Sequence, residues 1–351
     1  MFGFARSLVL WMVGVMSVAG APVRVVTFNI EANRDGNGNI TESLNDPGTT
    51  DYNAVRDILA RIDADVVCLQ ELANADISGG TNGGTSSDVH ALAADLGLPH
   101  VLIPTNSGVF DFTLRNVILS RYPFLASVQV GSRDHMDAIG AVGADGERAK
   151  DVTRVIPVVE IEVPGAAEPL AVMTLHAKSG TGLADRFRRA VELDRLADFL
   201  SLSGYASTDN LVILGDFNLS SNDRTFSIEP SGLPSTWNRG ADIPLPISYS
   251  TDPDFYYQAG FGLSAIEARA VNGNDDTTEY GTVIDFVLTS PAILVSGSEI
   301  YRSSLDDSNA VGLPKAGDPL DVPLSGTASD HYAVFADLEL EDEVPEPSAY
   351  I

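Results

Sequence analysis

The chain has 351 residues, 44% of them apolar and 20% charged, which is enough to bury a sizeable core and excludes a disordered polypeptide. Acidic residues outnumber basic ones 49 to 21, for a formal charge of −28, so no global positive field draws polyanions in. The single cysteine, Cys68, excludes an intramolecular disulfide and a Cys-rich zinc site, and its neighbours Val66, Val67 and Leu69 predict an inert buried thiol.

Arg6 precedes an apolar run over 7–18 that closes on Ala19-Gly20-Ala21, the order and length of a secretory signal. Pro22 disfavours a cut after Ala21, so residues 1–19 are read as a signal peptide and the mature protein is expected to be secreted or periplasmic. An uncleaved membrane anchor is the competing reading, although the run is shorter than the roughly 20 apolar residues of a spanning helix.

Short apolar runs predict strands over 23–29, 65–70, 115–120, 152–163, 170–176, 211–215, 282–289 and 331–340. Helical spacing predicts helices over 52–62, 87–96 and 184–200. Two stretches, 31–51 and 220–281, fit no regular scaffold, and the second carries Trp237, Tyr249, Phe255, Tyr256 and Tyr257 among Pro, Gly and Asp. Within the first, 33–40 has the oxygen spacing of a structural Ca²⁺ loop, but Leu44 stands where the bidentate Glu belongs, and a plain Asn/Gly turn competes. No composition break divides 22–340, which predicts one domain, and the acidic, Pro-rich 341–351 is expected to be a disordered tail.

Polar residues recur at the ends of the apolar runs. Thr27-Phe28-Asn29-Ile30-Glu31 closes the first and Leu69-Gln70-Glu71 the second, while His176 closes the run over 170–176. Asp216 and Asn218 follow Leu211-Val212-Ile213-Leu214-Gly215, Asp285 follows Thr282-Val283-Ile284, and Asp330-His331 opens the last run. A polar side chain inside a sheet is costly, so these should emerge at its edge. Singly, each has an ordinary explanation as a turn, a cap or a structural histidine; their recurrence is what points to chemistry. Carboxylates such as Glu71 and Asp330 suit Mg²⁺ or Mn²⁺. Metal and a histidine base together make water a usable nucleophile on a phosphoester at neutral pH. His331 suits the base, Asp285 the carboxylate that sets its tautomer, and His176, Asn29 and Asn218 can donate to phosphate oxygens.

The motifs TFNIE (27–31), LQE (69–71), ILSRYP (118–123), TLH (174–176), GDFN (215–218), IDFVL (284–288) and SDH (329–331) together resemble the endonuclease/exonuclease/phosphatase superfamily, which includes deoxyribonuclease I, exonuclease III, inositol polyphosphate 5-phosphatases and bacterial sphingomyelinases. The resemblance implies an α/β fold, a four-layer α-β-β-α sandwich of two packed mixed sheets, with the site at their open end. It implies Glu71 as metal ligand, with Asp330 and Glu31 as further ligands, Glu31 departing from the Asp of some members. Asp216 and Asn218 would hold the nucleophilic water and phosphate, Asp285 and His331 would form the acid and base pair, and His176, Asn29 and Arg154 would meet the phosphate. A surface salt bridge is the competing reading of Arg154.

Three functions compete: an exported, nuclease-like phosphodiesterase; a phosphatase or sphingomyelinase-type hydrolase of a small or lipid phosphoester; and a non-catalytic binding relative, which predicts a decayed site. The negative charge argues against tight, sequence-independent duplex binding without excluding cleavage. The expected partner is a phosphoester, in nucleic acid, phospholipid or a small molecule; no obligate protein partner is inferred and a monomer is expected.

Overall fold

Alternation along the first strand organises the molecule. In chain order the strands are β1 (Val23–Asn29), β2 (Val66–Ala73), β3 (His100–Leu102), β4 (Thr105–Asn106), β5 (Val109–Phe110), β6 (Leu114–Ser120), β7 (Phe124–Val130) and β8 (Ile156–Ile161). There follow β9 (Leu170–His176), β10 (Asn210–Asp216), β11 (Thr225–Ile228), β12 (Ile247–Ser250), β13 (Ser264–Ala265), β14 (Asp285–Thr289), β15 (Leu294–Tyr301) and β16 (Ala333–Glu339). The helices are α1 (Thr50–Ile62), α2 (Asn74–Ile77), α3 (Asp88–Asp95), α4 (Leu183–Ser203) and α5 (Ser325–Ala328). The computed structural model describes residues 22–77, 87–106, 109–110, 114–131, 152, 154–219, 225–232, 246–250, 262–307, 312–320 and 324–342.

Two six-stranded mixed sheets form, ordered β15-β16-β1-β2-β6-β3 and β13-β14-β10-β9-β8-β7. Each has one parallel pair, β1 with β2 and β9 with β10, and antiparallel neighbours elsewhere. A parallel pair needs a crossover, and α1 and α4 supply it. Thr49 caps α1 by accepting from the Tyr52 backbone N–H, and Gly204 ends α4 in the left-handed region.

Successive strand residues face opposite sides, so each strand contributes to two cores. Val26, Phe28 and Ile30 pack with Tyr52, Val55, Ile58 and Leu59 of α1. Ala171, Met173, Leu175, Leu211 and Ile213 pack with Phe187, Ala190, Leu193 and Leu196 of α4. The opposite parity, Val23, Val25, Val66, Cys68, Leu170, Val172, Val212, Leu214 and Val334, meets between the sheets. The layers are therefore helix, sheet, sheet, helix, and Cys68 is fully buried, as its apolar neighbours require.

The expected strands and helices are present with small changes of boundary. Asp285 opens β14 instead of following a strand, because 277–282 closes a turn in which Thr277 N–H donates to the Thr282 carbonyl at 2.8 Å. His331 makes an isolated bridge to Thr278 two residues before β16 begins. The edge strands β3, β7 and β15 carried too little apolar signal to be expected; β15 is Leu-Val-Ser-Gly-Ser-Glu-Ile-Tyr with a register shift between Val295 and Gly297. Within the irregular stretch over 220–281 the described parts include the β11–β12 hairpin and β13, whereas Trp237, Phe255, Tyr256 and Tyr257 lie outside the described residues. The expected signal peptide and the tail over 343–351 also lie outside them, and no described helix is long and apolar enough to cross a membrane.

Candidate active site

The inter-sheet face changes chemistry along its length. Valines and leucines give way to Thr27, Gln70 and Thr174, and then, one step further at the same parity, to Asn29, His176 and Asp216. The intermediate layer joins the sheets: Thr27 Oγ1 donates to Gln70 Oε1 at 3.1 Å, and Gln70 Nε2 donates to Thr174 Oγ1 at 2.8 Å. All three side chains are buried and paired, so this layer holds the two sheets in register beneath the polar edge.

At that edge His176, Asp216 and Asp285 stand side by side on β9, β10 and β14, Asp216 being the cross-strand partner of both. Gly215 makes this alignment sterically feasible: its φ is +151°, and a Cβ there would lie 1.9 Å from the Leu175 carbonyl oxygen. From the other sheet, Asn29 Nδ2 donates to Asp216 Oδ2 at 3.0 Å and to Glu71 Oε1 at 3.3 Å, linking the two edges.

Glu71 sits where the β2–β6 register slips between Leu69 and Leu72, with φ +65°. Strict alternation would aim Glu71 with Val67 and Leu69 into the α1-side core; the bulge breaks that alternation, Leu72 takes the core position, and Glu71 reaches the site. Its carboxylate accepts from the Ala32 backbone N–H at 3.1 Å, and its carbonyl accepts from Ser43 Oγ. Ser43 is held in turn by the buried Asp76, whose carboxylate accepts the backbone N–H groups of Ser43, Leu44, Asn45 and Ala73. Glu31 (φ +48°) and Asn218 (φ +51°) are likewise left-handed. A left-handed non-glycine residue costs about 1–3 kcal/mol, and such strain clusters at functional sites. Short bonds hold both: Glu31 N–H to Asn29 Oδ1 at 3.1 Å, and Asn218 N–H to Asp216 Oδ1 at 2.8 Å.

His331 Nδ1 and Asp285 Oδ2 lie 2.8 Å apart and both residues are buried. The His331 backbone N–H donates to Ser329 Oγ at 3.0 Å, and Ser329 Oγ donates to the Asn29 carbonyl at 2.6 Å, which locks the last segment onto β1. The free ring face turns towards the cleft, with Nε2 3.7 Å from Asp330 Oδ1 and 4.0 Å from Asp216 Oδ2. Burial opposes the charged ring, but Asp285, Asp216 and Asp330 together outweigh it and push His331 up to about 10. Asp216 is pushed up to about 7, first by burial and then by the charge of Asp285. His176 is held well below the usual histidine range by burial and then by the Arg154 charge, so it is neutral and its Nε2 lies 3.3 Å from Asp216 Oδ2.

A cleft of about 310 Å³ opens beside this group, lined by Glu31, Ala32, Asn33, Arg34, Glu71, Asp330 and His331. The Asp330 backbone N–H donates to Glu31 Oε2 at 3.2 Å. Burial and then the Asp330 charge raise Glu31, while burial foremost, with a contribution from Glu71, raises Asp330. Hard oxygen donors crowded this way fit a divalent cation such as Mg²⁺ or Mn²⁺, whose charge would relieve their repulsion. A second donor set, Asp216, Asp285 and His331, has its ligand atoms within 4.8 Å of one another, but His331 Nδ1 is already bonded to Asp285 there.

All ten residues singled out from the sequence thus lie at or beside one edge. Arg154 touches it through Nη1 to the His176 carbonyl at 3.4 Å, and Asn218 gives its Nδ2 to the Ala177 carbonyl at 3.0 Å. The stretch over 33–40 forms an Asn/Gly turn in which the Asp35 carboxylate accepts the backbone N–H groups of Asn37 and Asn39, both at 2.8 Å. Ser43, Asp76 and Thr277 escaped sequence reasoning, and Ser329 entered it only as the first letter of SDH, without a role. They hold site residues through the backbone, as when Thr277 Oγ1 accepts from the Asp285 N–H at 3.1 Å, and no motif spacing marks such contacts.

The family model described as "Endonuclease/Exonuclease/phosphatase family" matches residues 26–331. Among solved structures, an endonuclease/exonuclease/phosphatase from Beutenbergia cavernae is 18% identical with a TM-score of 0.57, covering 91% of this chain and 72% of its own. The human Nocturnin catalytic domain with bound sulfate is 16% identical (TM-score 0.53; 92% and 94% covered). ANGEL2, a 2′,3′-cyclic phosphatase in complex with adenosine-2′,3′-vanadate, is 15% identical (TM-score 0.52; 92% and 96% covered). At these identities the likeness is one of fold, and none of the curated proteins is similar enough in sequence to match.

Proposed function

The chain belongs to the endonuclease/exonuclease/phosphatase family of phosphoester hydrolases, and on that footing we propose that it is an exported, metal-dependent phosphodiesterase acting on nucleic acid. The observation that carries the chemistry is the 2.8 Å pair of His331 Nδ1 and Asp285 Oδ2, with Nε2 turned to a cleft walled by carboxylates. Asp285 fixes the ring with Nε2 towards the cleft; the metal-free carboxylates hold His331 protonated, and a divalent cation among them would offset their charge and lower its value, so that Nε2 can take a proton from the attacking water. Asp216 and Asn218 orient the water and phosphate, and Asn29, neutral His176 and Arg154 donate to phosphate oxygens as they gain charge. Glu71, Asp330 and Glu31 would hold Mg²⁺ or Mn²⁺, which supplies positive charge to the phosphate oxygens in the transition state.

The test assays the purified protein with Mg²⁺, Mn²⁺ or Ca²⁺ against plasmid DNA, RNA, bis-p-nitrophenyl phosphate, p-nitrophenyl phosphate and sphingomyelin. Hydrolysis of DNA, RNA and bis-p-nitrophenyl phosphate that stops with chelator is the expected result. Release of phosphocholine from sphingomyelin, with both nucleic acids untouched, would replace this reading with a lipid hydrolase. N-terminal sequencing of protein recovered outside the cytoplasm should start at Gly20.

A further inference from the structure

The hairpin after β1 reaches the cleft from outside both sheets. Arg34 and Ile40 pair across it, with Asn33 N–H on the Glu42 carbonyl at 2.8 Å, Thr41 N–H on the Asn33 carbonyl at 2.9 Å and Asp35 N–H on the Asn39 carbonyl at 2.9 Å. The Asp35 carboxylate is occupied by the Asn37 and Asn39 N–H groups and by Asn39 Nδ2 at 2.9 Å, so it is turned into the hairpin's own turn. This closed network makes the hairpin a fixed arm.

Arg34 is exposed and lines the same cleft as Glu31, Glu71, Asp330 and His331, the one arginine or lysine among the residues of that lining. Among the described residues its guanidinium makes one hydrogen bond, from Nη1 to the Gly38 carbonyl at 3.1 Å, and no ion pair with the cleft carboxylates. That bond tethers the fork and leaves Nε and Nη2 as donors, the arrangement that meets a phosphate through two parallel N–H groups. The donors proposed for the reacting phosphate, Asn29 and His176, lie buried on strands of the two sheets and outside the lining of this cleft. Arg34 is exposed on this arm, where a second phosphate of a strand entering the cleft would otherwise face the carboxylates of Glu31 and Asp330. In a chain with a formal charge of −28, such a phosphate gains nothing from the global field, so a local cation such as Arg34 has to supply the attraction.

We infer that Arg34 grips the phosphate next to the scissile one on a nucleic-acid strand and so is a specificity-determining residue that selects strands over esters with one phosphate. The inference rests on the phosphodiesterase reading above. It predicts that Arg34→Ala lowers the ratio of kcat/KM for a single-stranded tetranucleotide to that for bis-p-nitrophenyl phosphate at least about tenfold, mainly through KM, since one charge-assisted bidentate contact is lost. The slope of log KM against log salt for the tetranucleotide should flatten by about 0.7, the value for one phosphate contact on a single strand. Arg34→Lys should restore the slope and only part of the ratio, because it returns charge without the fork.

Equal losses on both substrates, or an unchanged ratio and slope, would overturn the inference while leaving the enzyme a phosphodiesterase. If the wild type hydrolyses no diester, the functional reading fails by itself. Arg34 is then judged by fluorescence anisotropy of a labelled tetranucleotide on the Mg²⁺-treated protein. Weaker binding by Arg34→Ala upholds its role as a strand contact, and equal binding by the two proteins overturns it.

Discussion

The two sheets follow one plan and end it differently. Each has a parallel pair joined by a helix; one pair presents Asn29 and Glu71, the other His176 and Asp216. Asp216 stays in register at the inter-sheet face with its side chain 2% exposed, and burial pushes it up to about 7. Glu71 has left the register through a bulge, and its side chain is 20% exposed beside the cleft. One extra residue in one strand thus separates a carboxylate shielded from water from one presented to it. The first sheet consequently lines the cleft with oxygen donors, the second builds the buried polar row, and His331, entering the first sheet, leans across to Asp285 of the second.

That division of labour can be broken from either side. The largest effect is expected from His331→Ala, which should lower kcat by about 10²–10⁴ as a positioned proton acceptor is lost. Asp285→Asn should cost at least about 10², and the double variant little more than the worse single, because the pair acts as a unit. Multiplicative losses would separate the two residues. Next comes Glu71→Gln, which should weaken Mn²⁺ binding in calorimetry by more than the roughly 10–100-fold that follows loss of an outer contact to a metal ligand. Unchanged Mn²⁺ affinity would move the metal away from the first sheet. Ser43→Ala, which frees the Glu71 carbonyl without touching its carboxylate, should weaken Mn²⁺ binding by up to about tenfold, and Ser43→Thr should restore it.

The gentlest test uses the metal-free protein. The His331 ring should titrate near 10 by NMR, and Asp285→Asn should lower that value by removing the carboxylate bonded to Nδ1. Because the folded value lies above the unfolded 6.5, His331 contributes stability that is fully present below pH 6.5 and lost as pH rises through about 10. Denaturant unfolding between pH 7 and 10 should therefore slope less steeply in Asp285→Asn; an identical slope would detach His331 from Asp285.

The site was legible in outline because its residues terminate apolar runs, and a polar group after Val-Val-Thr-Phe or Leu-Val-Ile-Leu-Gly has to leave the core. Boundaries were less legible where backbone contacts intervene. The run over 282–289 looks continuous, but Thr277 Oγ1 takes the N–H groups of both Ile284 and Asp285, and the strand starts at Asp285. Edge strands such as β7, with Leu125 53% exposed, lack the second buried face that makes a strand readable.

By itself the sequence determined the strands of the cores, their alternation and the kinds of groups at their ends, since each follows from the period-two geometry of a strand and the cost of burying a polar side chain. Only the tertiary structure decided that the two sheets meet face to face with those ends at one edge, that a bulge turns Glu71 to the cleft, and that Ser43 and Asp76 hold it there. Asn29 meets Asp216 across 187 positions of chain and His331 meets Asp285 across 46. Contacts at such separations come from the packing of whole layers, which no local pattern of residues records.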